Sequence, residues 1–260
     1  MTVKCYNCNN KVILKKKPKF NIGNFPLLTD DNCRFDGKQD PSIENEIAYL
    51  NFCPQCGYSN DNLKENIIYE CISFERKEAK LVLKNILSKN KVKDILNSSY
   101  SDEVKALFIQ AFINYKYSNL FYVDDKEMWE SYNGITCSSD DIYSCKESKR
   151  NKYLIRTYDN LIFASWLLEK DNNKLSNKLK KEAIKILPYK LIDKTDNYKR
   201  LYYIDICRQT KNFDLASEYL NEIKDISDTT LFKMIIFEKF LIKNQDFAPH
   251  YISDVKISYK

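Results

Sequence analysis

Four cysteines in two identical spacings carry the chemistry that this chain offers most openly. Cys5-Tyr6-Asn7-Cys8 and, about forty residues later, Cys53-Pro54-Gln55-Cys56 each put two thiols on one short turn. Two thiolates three positions apart can face one ion from a single loop, and two such loops supply the tetrahedral sulfur shell that zinc prefers. Cys5, Cys8, Cys53 and Cys56 are therefore read as one structural zinc (Zn2+) site. With sulfur in all four positions no place stays open for a water, so Lewis-acid catalysis at this ion is not expected. A thioredoxin-like dithiol needs a pair that opens a helix after a strand, and neither pair is so placed. A structural zinc contributes about 10–16 kcal/mol to folding in small peptide modules. That exceeds what a short segment with few large apolar side chains gathers by burial, so the module should fall apart without its metal.

The other reactive side chains form no comparable set. Cys33 lies between the two pairs, near Asp30 and Asp31, and Cys137 and Cys145 stand eight positions apart. Each is a place where a second metal site could form, although the remaining ligands of a Cys137–Cys145 clip are missing. Cys71 and Cys207 fall on apolar helical stripes and read as small core residues. His250 is the only histidine, so every mechanism that needs a histidine base or a Cys-His pair depends on that one residue. The chain has no Gly-rich phosphate loop, no His-Glu-x-x-His and no Gly-x-Ser-x-Gly. No catalytic residue is assigned; an enzyme of unrecognised type, built on carboxylates, is a third reading beside the two given below.

Around the cysteines the pattern is wider than the two pairs. Asp31-Asn32-Cys33-Arg34-Phe35, then Pro41, Tyr49 and Phe52-Cys53-Pro54-Gln55-Cys56-Gly57-Tyr58 together resemble a bacterial family known as domain of unknown function 2225. The likeness covers residues 5 to 58. It implies an N-terminal zinc-ribbon-like module, a strand running into the second cysteine pair and, in many members, tetratricopeptide-like helices beyond. It implies no defined activity. The acidic patch Asp30-Asp31 lacks the aromatic residue expected directly after it.

The elements that must hold these cysteines change character along the chain. Residues 1 to about 60 contain three of the four glycines and four of the six prolines, the composition of turns. Val12-Ile13-Leu14 and Ile47 to Phe52 are strand candidates leading out of and into the cysteine turns, the plan of a zinc ribbon. The gap between the pairs exceeds the roughly 15–20 residues of compact double Cys-x-x-Cys sites, so residues 15 to 46 are expected as an inserted loop or extra strands. From Leu63 onward apolar residues recur with helical period: Leu63 to Phe74, Ala79 to Leu87, Val104 to Tyr115, Tyr153 to Leu168, Leu175 to Leu187, Leu201 to Thr210, Leu215 to Ile223 and Leu231 to Ile242. Ser101 followed by Asp102 and Glu103 marks one helix start, a hydroxyl cap with carboxylates on the first turn. Asp124 to Arg150 fits neither period and is expected as a long loop that packs Trp129, Tyr132 and Tyr143 back on the helices, with a binding lip as the alternative.

Two polar joints, Asp171-Asn172-Asn173 and Lys211 to Asp214, each precede a helix carrying an alanine, Ala183 and Ala216, 33 residues apart. That is close to the roughly 34-residue period of tetratricopeptide repeats, which the stretch Tyr202 to Leu220 resembles. The expected fold is mostly α: a small N-terminal zinc ribbon with short β-strands in residues 1–61, then an α-helical, tetratricopeptide-like bundle of antiparallel helix pairs in residues 62–260. An irregular helical bundle is the alternative.

Charge and length narrow the functional classes. The chain of 260 residues is 43% hydrophobic, enough for ordinary cores. Its longest apolar run, Leu161 to Leu168, is far shorter than the roughly 20 residues that cross a bilayer, and Met1 to Cys5 show no apolar leader, so neither membrane insertion nor export is expected. Nine cysteines without a leader point to a reducing compartment, the cytoplasm. The net charge of +6 comes from 36 lysines and six arginines set among 36 acids, a solvated surface rather than an arginine-rich phosphate clamp. The first expectation is a zinc-binding, non-catalytic scaffold that binds a protein or peptide through helix faces bearing Tyr198, Arg200, Tyr202, Tyr203 and Arg208. The alternative is nucleic-acid binding, with Lys15, Lys16, Lys17 and Lys19 on phosphates and Tyr6 or Phe20 stacking on bases.

Overall fold

The computed structural model of the protein describes residues 2–13, 51–60, 83–120, 139–224, 226, 228–251 and 254. It is mostly helical, with two small antiparallel β-ribbons near the N-terminus. The first ribbon pairs β1 (Thr2–Lys4) with β2 (Lys11–Ile13), Val3 opposite Val12. The second pairs β3 (Asn51–Phe52) with β4 (Ser59–Asn60). Each ribbon turns through one Cys-x-x-Cys, so the strand candidates at Val12-Ile13 and Asn51-Phe52 do lead out of and into the cysteine turns.

Residues 83–87 are helical, followed by α1 (Asn90–Asn97), α2 (Asp102–Leu120) and α3 (Ser139–Leu168). Beyond them come α4 (Asn173–Ile186), a 3-10 turn (Tyr189–Leu191), α5 (Asn197–Gln209), α6 (Phe213–Asn221) and α7 (Thr229–Lys243). The helix starts follow the sequence chemistry. The Ser101 hydroxyl accepts from the Val104 amide at 3.4 Å, and carboxyl or amide oxygens of Asn172, Asp196 and Asp228 accept from the first-turn amides of α4, α5 and α7, satisfying donors that no helical carbonyl reaches. Helices α5 and α7 end alike. Lys211 and Gln245 take positive φ (68° and 53°), and the Asn212 and Asp246 amides reach back to the Cys207 and Leu241 carbonyls, the six-to-one bond of a left-handed helix terminus.

Two helical segments depart from the sequence reading. Residues 139–150 belong to α3 and are not part of a long loop. Their polar run of Asp, Lys, Glu and Arg shows no apolar stripe, but it contains helix formers and neither glycine nor proline to stop the helix. Helix α1 carries only Val92, Ile95 and Leu96 as apolar residues, too few to display a period. The expectations for Leu14, for residues 15–46, for Ile47 to Leu50, for Leu63 to Phe74, for 79–82 and for 124–138 lie outside the described residues.

The chain divides into two compact units, residues 1–17 with 47–164 and residues 18–46 with 165–260. In the first, Val3, Cys5, Val12, Cys53 and Tyr58 share one core with Leu83, Ile86, Leu87, Val92, Ile109, Ile113, Tyr117 and Tyr153. The cysteine turns are thus packed on helices. In the second, α5 touches α4, α6 and α7 and is buried along most of its length from Arg200 to Gln209. Three-residue joints such as Thr210–Asn212 force consecutive helices to run antiparallel, and Ala183 and Ala216 are fully buried, as close helix crossings require. This is tetratricopeptide-like pairing. Among the described residues no helix is long and apolar enough to cross a membrane.

Candidate metal centre

The two cysteine turns are built alike, atom for atom in the backbone. Cys5 N–H donates to the Asn10 carbonyl at 2.9 Å and Asn9 N–H to the Cys5 carbonyl at 2.9 Å; Cys53 N–H donates to Tyr58 at 2.8 Å and Gly57 N–H to Cys53 at 2.9 Å. Such a tight return needs a left-handed residue directly after the second cysteine. Gly57 (φ 78°) and Asn9 (φ 61°) fill that place, and glycine and asparagine are the residues that tolerate it best. Gly57 has a second reason to lack a side chain: a Cβ there would come within 2.9 Å of Ile109 Cδ1 and 3.1 Å of Val92 Cγ1. The second turn therefore sits directly on α1 and α2.

This construction brings Cys5, Cys8, Cys53 and Cys56 together, their sulfurs all within 4.8 Å of one another. Cys5 Sγ lies 3.7 Å from Cys56 Sγ, and Cys8 Sγ lies 3.6 Å from Cys53 Sγ. A tetrahedron with metal–sulfur bonds of about 2.3 Å has sulfur–sulfur edges of about 3.8 Å, whereas a disulfide holds its sulfurs about 2.05 Å apart. All four are free thiols, and these two separations match the edge of such a tetrahedron. Cys5 and Cys53 are fully buried, and Cys8 and Cys56 are half-buried.

Amide donors surround the sulfurs. The backbone N–H groups of Asn7 and Cys8 hydrogen-bond Cys5, those of Gln55 and Cys56 bond Cys53, and the Tyr58 amide with the Asn7 side chain bonds Cys56. Asn10 Nδ2 donates to Cys8 Sγ at 3.4 Å. These donors spread negative charge away from thiolates. Packed so closely, the thiols also compete for ionisation. Hydrogen bonds from Cys5 and then Cys56 draw the Cys53 thiol down to about 2, while the bond to Cys53 and burial push Cys5 up to about 11, and Cys56 is pushed up by Cys5 and Cys53. The Cys53 thiolate is favoured while those of Cys5 and Cys56 are opposed, a conflict that a divalent cation at the centre would remove.

Behind the sulfurs lies a tyrosine cluster that the sequence reading passed over. Tyr58 and Tyr117 are buried, Tyr6 lies 6.3 Å from Tyr58, and Tyr117 meets Tyr153 edge-on at 5.6 Å. Burial, then Tyr58, Tyr153 and Tyr6, push the Tyr117 phenol upward, so it stays neutral. The half-buried Tyr6 ring takes part in this packing through its tilted contact with Tyr58. Lys15 to Lys19, Phe20, Cys33, Cys71 and Cys137 lie outside the described residues, and Cys145 falls within α3. Cys207 is buried in the second unit, where burial raises its thiol, in line with a core role.

The binding face expected on α5 requires correction. Tyr203 and Arg208 are fully buried, and Arg200 nearly so. Arg208 Nε donates to Glu238 Oε1 at 2.8 Å, its Nη2 bonds Asp205, and its Nη1 bonds the Asp246 and Ala248 carbonyls at 2.6 and 2.8 Å. Gln209 links Asp205 to Lys180. These side chains tie the helices together and are unavailable to a partner. Three helices converging on α5 made a polar core where the apolar stripe suggested an open face.

Comparison with known proteins finds no family model that matches the chain, no similar curated protein and no similar solved structure.

Proposed function

We propose that this protein is a zinc-stapled, non-catalytic scaffold of the cytoplasm that binds a protein or peptide partner through its helices. The observation that carries the metal part is the pair of sulfur–sulfur distances, 3.7 and 3.6 Å, in a shell of four cysteines with amide donors around them. Tetrahedral all-sulfur shells suit zinc or iron; zinc is preferred because a closed site packed into a helical core has a structural role to fill and needs no redox change. The likeness of residues 5–58 to the domain of unknown function 2225 family, the division into a zinc-ribbon module (1–61) and a helical part (62–260), and the zinc itself belong to this proposal. Support for binding comes from the tetratricopeptide-like pairing, since stacked helix pairs present extended surfaces to partners.

Affinity capture with the tagged full-length chain from a native lysate tests the interaction. A partner retained at near-stoichiometric level supports it, and a clean capture with no such partner counts against it.

A further inference from the structure

Helix α7 carries an apolar ridge on its outer side. Phe232, Ile236 and Phe240 stand at i, i+4 and i+8, exposed by 45, 42 and 59%, and Phe247, 51% exposed, follows the helix end. Single exposed apolar residues are ordinary, but three in line extend about 12 Å along one helix face and form the kind of ridge that packs into the groove of another helix. The ridge is pre-ordered. The Phe240 ring stacks on Phe237 at 6.3 Å, Phe237 meets His250 edge-on at 5.6 Å, and Lys211 Nζ sits 4.2 Å over the Phe247 ring.

The exposed charges along the helix have one sign, and beyond its end the carboxylates of Asp246 and Asp254 flank His250 at 3.0 and 3.5 Å. Lys239 and Lys243 are exposed on the same arc of the helix, with Lys211 beside Phe247. Glu238, 200° around the helix from both Ile236 and Phe240 by the 100° step of an α-helix, is fully buried and bound to Arg208. Asp246 is turned to His250 at 3.0 Å. Just beyond α7, the Asp246 and Ala248 carbonyls are held from the buried side by Arg208, and the ridge side chains stay exposed. Helix α7 packs on α5 and α6, so it takes the place of the first helix of a pair that would follow α5 and α6, and among the described residues no second helix packs on its outer side.

We propose that this ridge docks an acidic amphipathic helix of a protein partner, whose apolar side chains interleave with Phe232, Ile236 and Phe240 while its carboxylates meet Lys211, Lys239 and Lys243. The proposal rests on the interaction reading above and gives it a face and a partner chemistry. Burial of an apolar stripe supplies affinity in this mode of recognition, and the lysine rim selects charge and orientation.

The test uses the full-length chain as bait for a display library of helical peptides about 20 residues long, randomised at all surface positions. Enriched peptides should pair apolar residues at i, i+4 spacing with flanking Asp and Glu. Ile236→Asp with Phe240→Asp should weaken a selected peptide about tenfold or more. Lys239→Glu with Lys243→Glu should do the same and should favour the peptide rebuilt with lysines. The lysine pair is wholly on the surface and carries the test if the aspartate pair melts early. Enrichment of neutral or basic peptides would overturn the partner chemistry. Peptides that bind the aspartate variant undiminished would overturn the face and leave the interaction reading standing. Self-association of the chain, or binding to phosphatidylserine vesicles, lost in the same variants would overturn the choice of partner. An unenriched library would overturn the ridge as a peptide site, while affinity capture from lysate judges the interaction reading separately.

Discussion

At the scale of single residues the cysteine cluster depends on two positions that are not cysteines. Gly57 and Asn9 occupy equivalent left-handed places, but only Gly57 is pressed against a helix. Gly57→Ala should therefore cost about 2 kcal/mol or more, combining backbone strain with overpacking against Ile109 and Val92, read by urea denaturation of the metal-loaded chain. Asn9→Gly should stay within about 0.5 kcal/mol of the parent, because the exposed turn gains freedom in both states. Asn9→Val should cost about 1–3 kcal/mol, since a β-branched side chain fits positive φ poorly. The clustering of Cys5, Cys8, Cys53 and Cys56 was legible because their type and spacing are chemically narrow. The equivalence of Asn9 and Gly57 was also on view, both standing directly after the second cysteine of a pair. The tyrosine cluster was not, because Tyr6, Tyr58, Tyr117 and Tyr153 come from four separate stretches and only the packing of the turns on α2 and α3 unites them.

At the scale of elements, α7 joins two carboxylates that titrate with opposite sign. Asp228 caps its start; the Leu231 amide, then the Tyr198 hydroxyl, hold its carboxyl below the ordinary range. A depressed group gives stability that is present above its unfolded pKa and lost as pH falls through the folded one. Asp228→Ala should cost about 1 kcal/mol at neutral pH and progressively less below about pH 4, measured by chemical denaturation across pH. Glu238 is fully buried, and desolvation, then the Asp205 carboxylate, raise it well above the usual value. Its contribution is complete below the unfolded pKa near 4.5 and lost as pH rises through the folded one. Glu238→Gln imitates the protonated acid, keeps an acceptor for Arg208 and should flatten the pH dependence above that point. Glu238→Ala, which strips Arg208 of a buried partner, should cost about 3–5 kcal/mol. Helix caps and apolar stripes made α2, α4, α5, α6 and α7 readable in advance. The N-terminal part of α3 was missed because helix propensity without a stripe leaves no period, and the role of Arg208 because periodicity cannot tell a buried cation, paired with Asp205 one turn back and with Glu238 thirty residues away, from an exposed one.

At the scale of the whole molecule, the cysteine turns belong to a larger core: Cys5 and Cys53 share it with Val92, Ile109 and Ile113. Metal loss should therefore be felt in α1 and α2 and not only in the two ribbons. In the metal-free Cys53→Ser, Cys56→Ser chain, hydrogen exchange should speed up across 83–120 while α5 to α7 keep their protection, since those helices are held by the Arg208 network in the other compact unit. Equal loss of protection in α5 to α7 would show that the ion supports the fold more broadly than its core contacts indicate. The mostly helical class and the ribbon near the N-terminus were legible from composition and period; the sharing of one core by turns and helices was not, because it is a long-range contact with no local signature.

The central claim is that four sulfurs hold one structural zinc. Elemental analysis together with native mass spectrometry, on the full chain purified under reducing conditions without added metal, tests it most directly. The account predicts one zinc per chain, lost on Cys5→Ser together with the protection of α1 and α2. A chain that arrives metal-free with four freely titrating thiols and an intact fold would contradict it, as would one that carries iron in place of zinc.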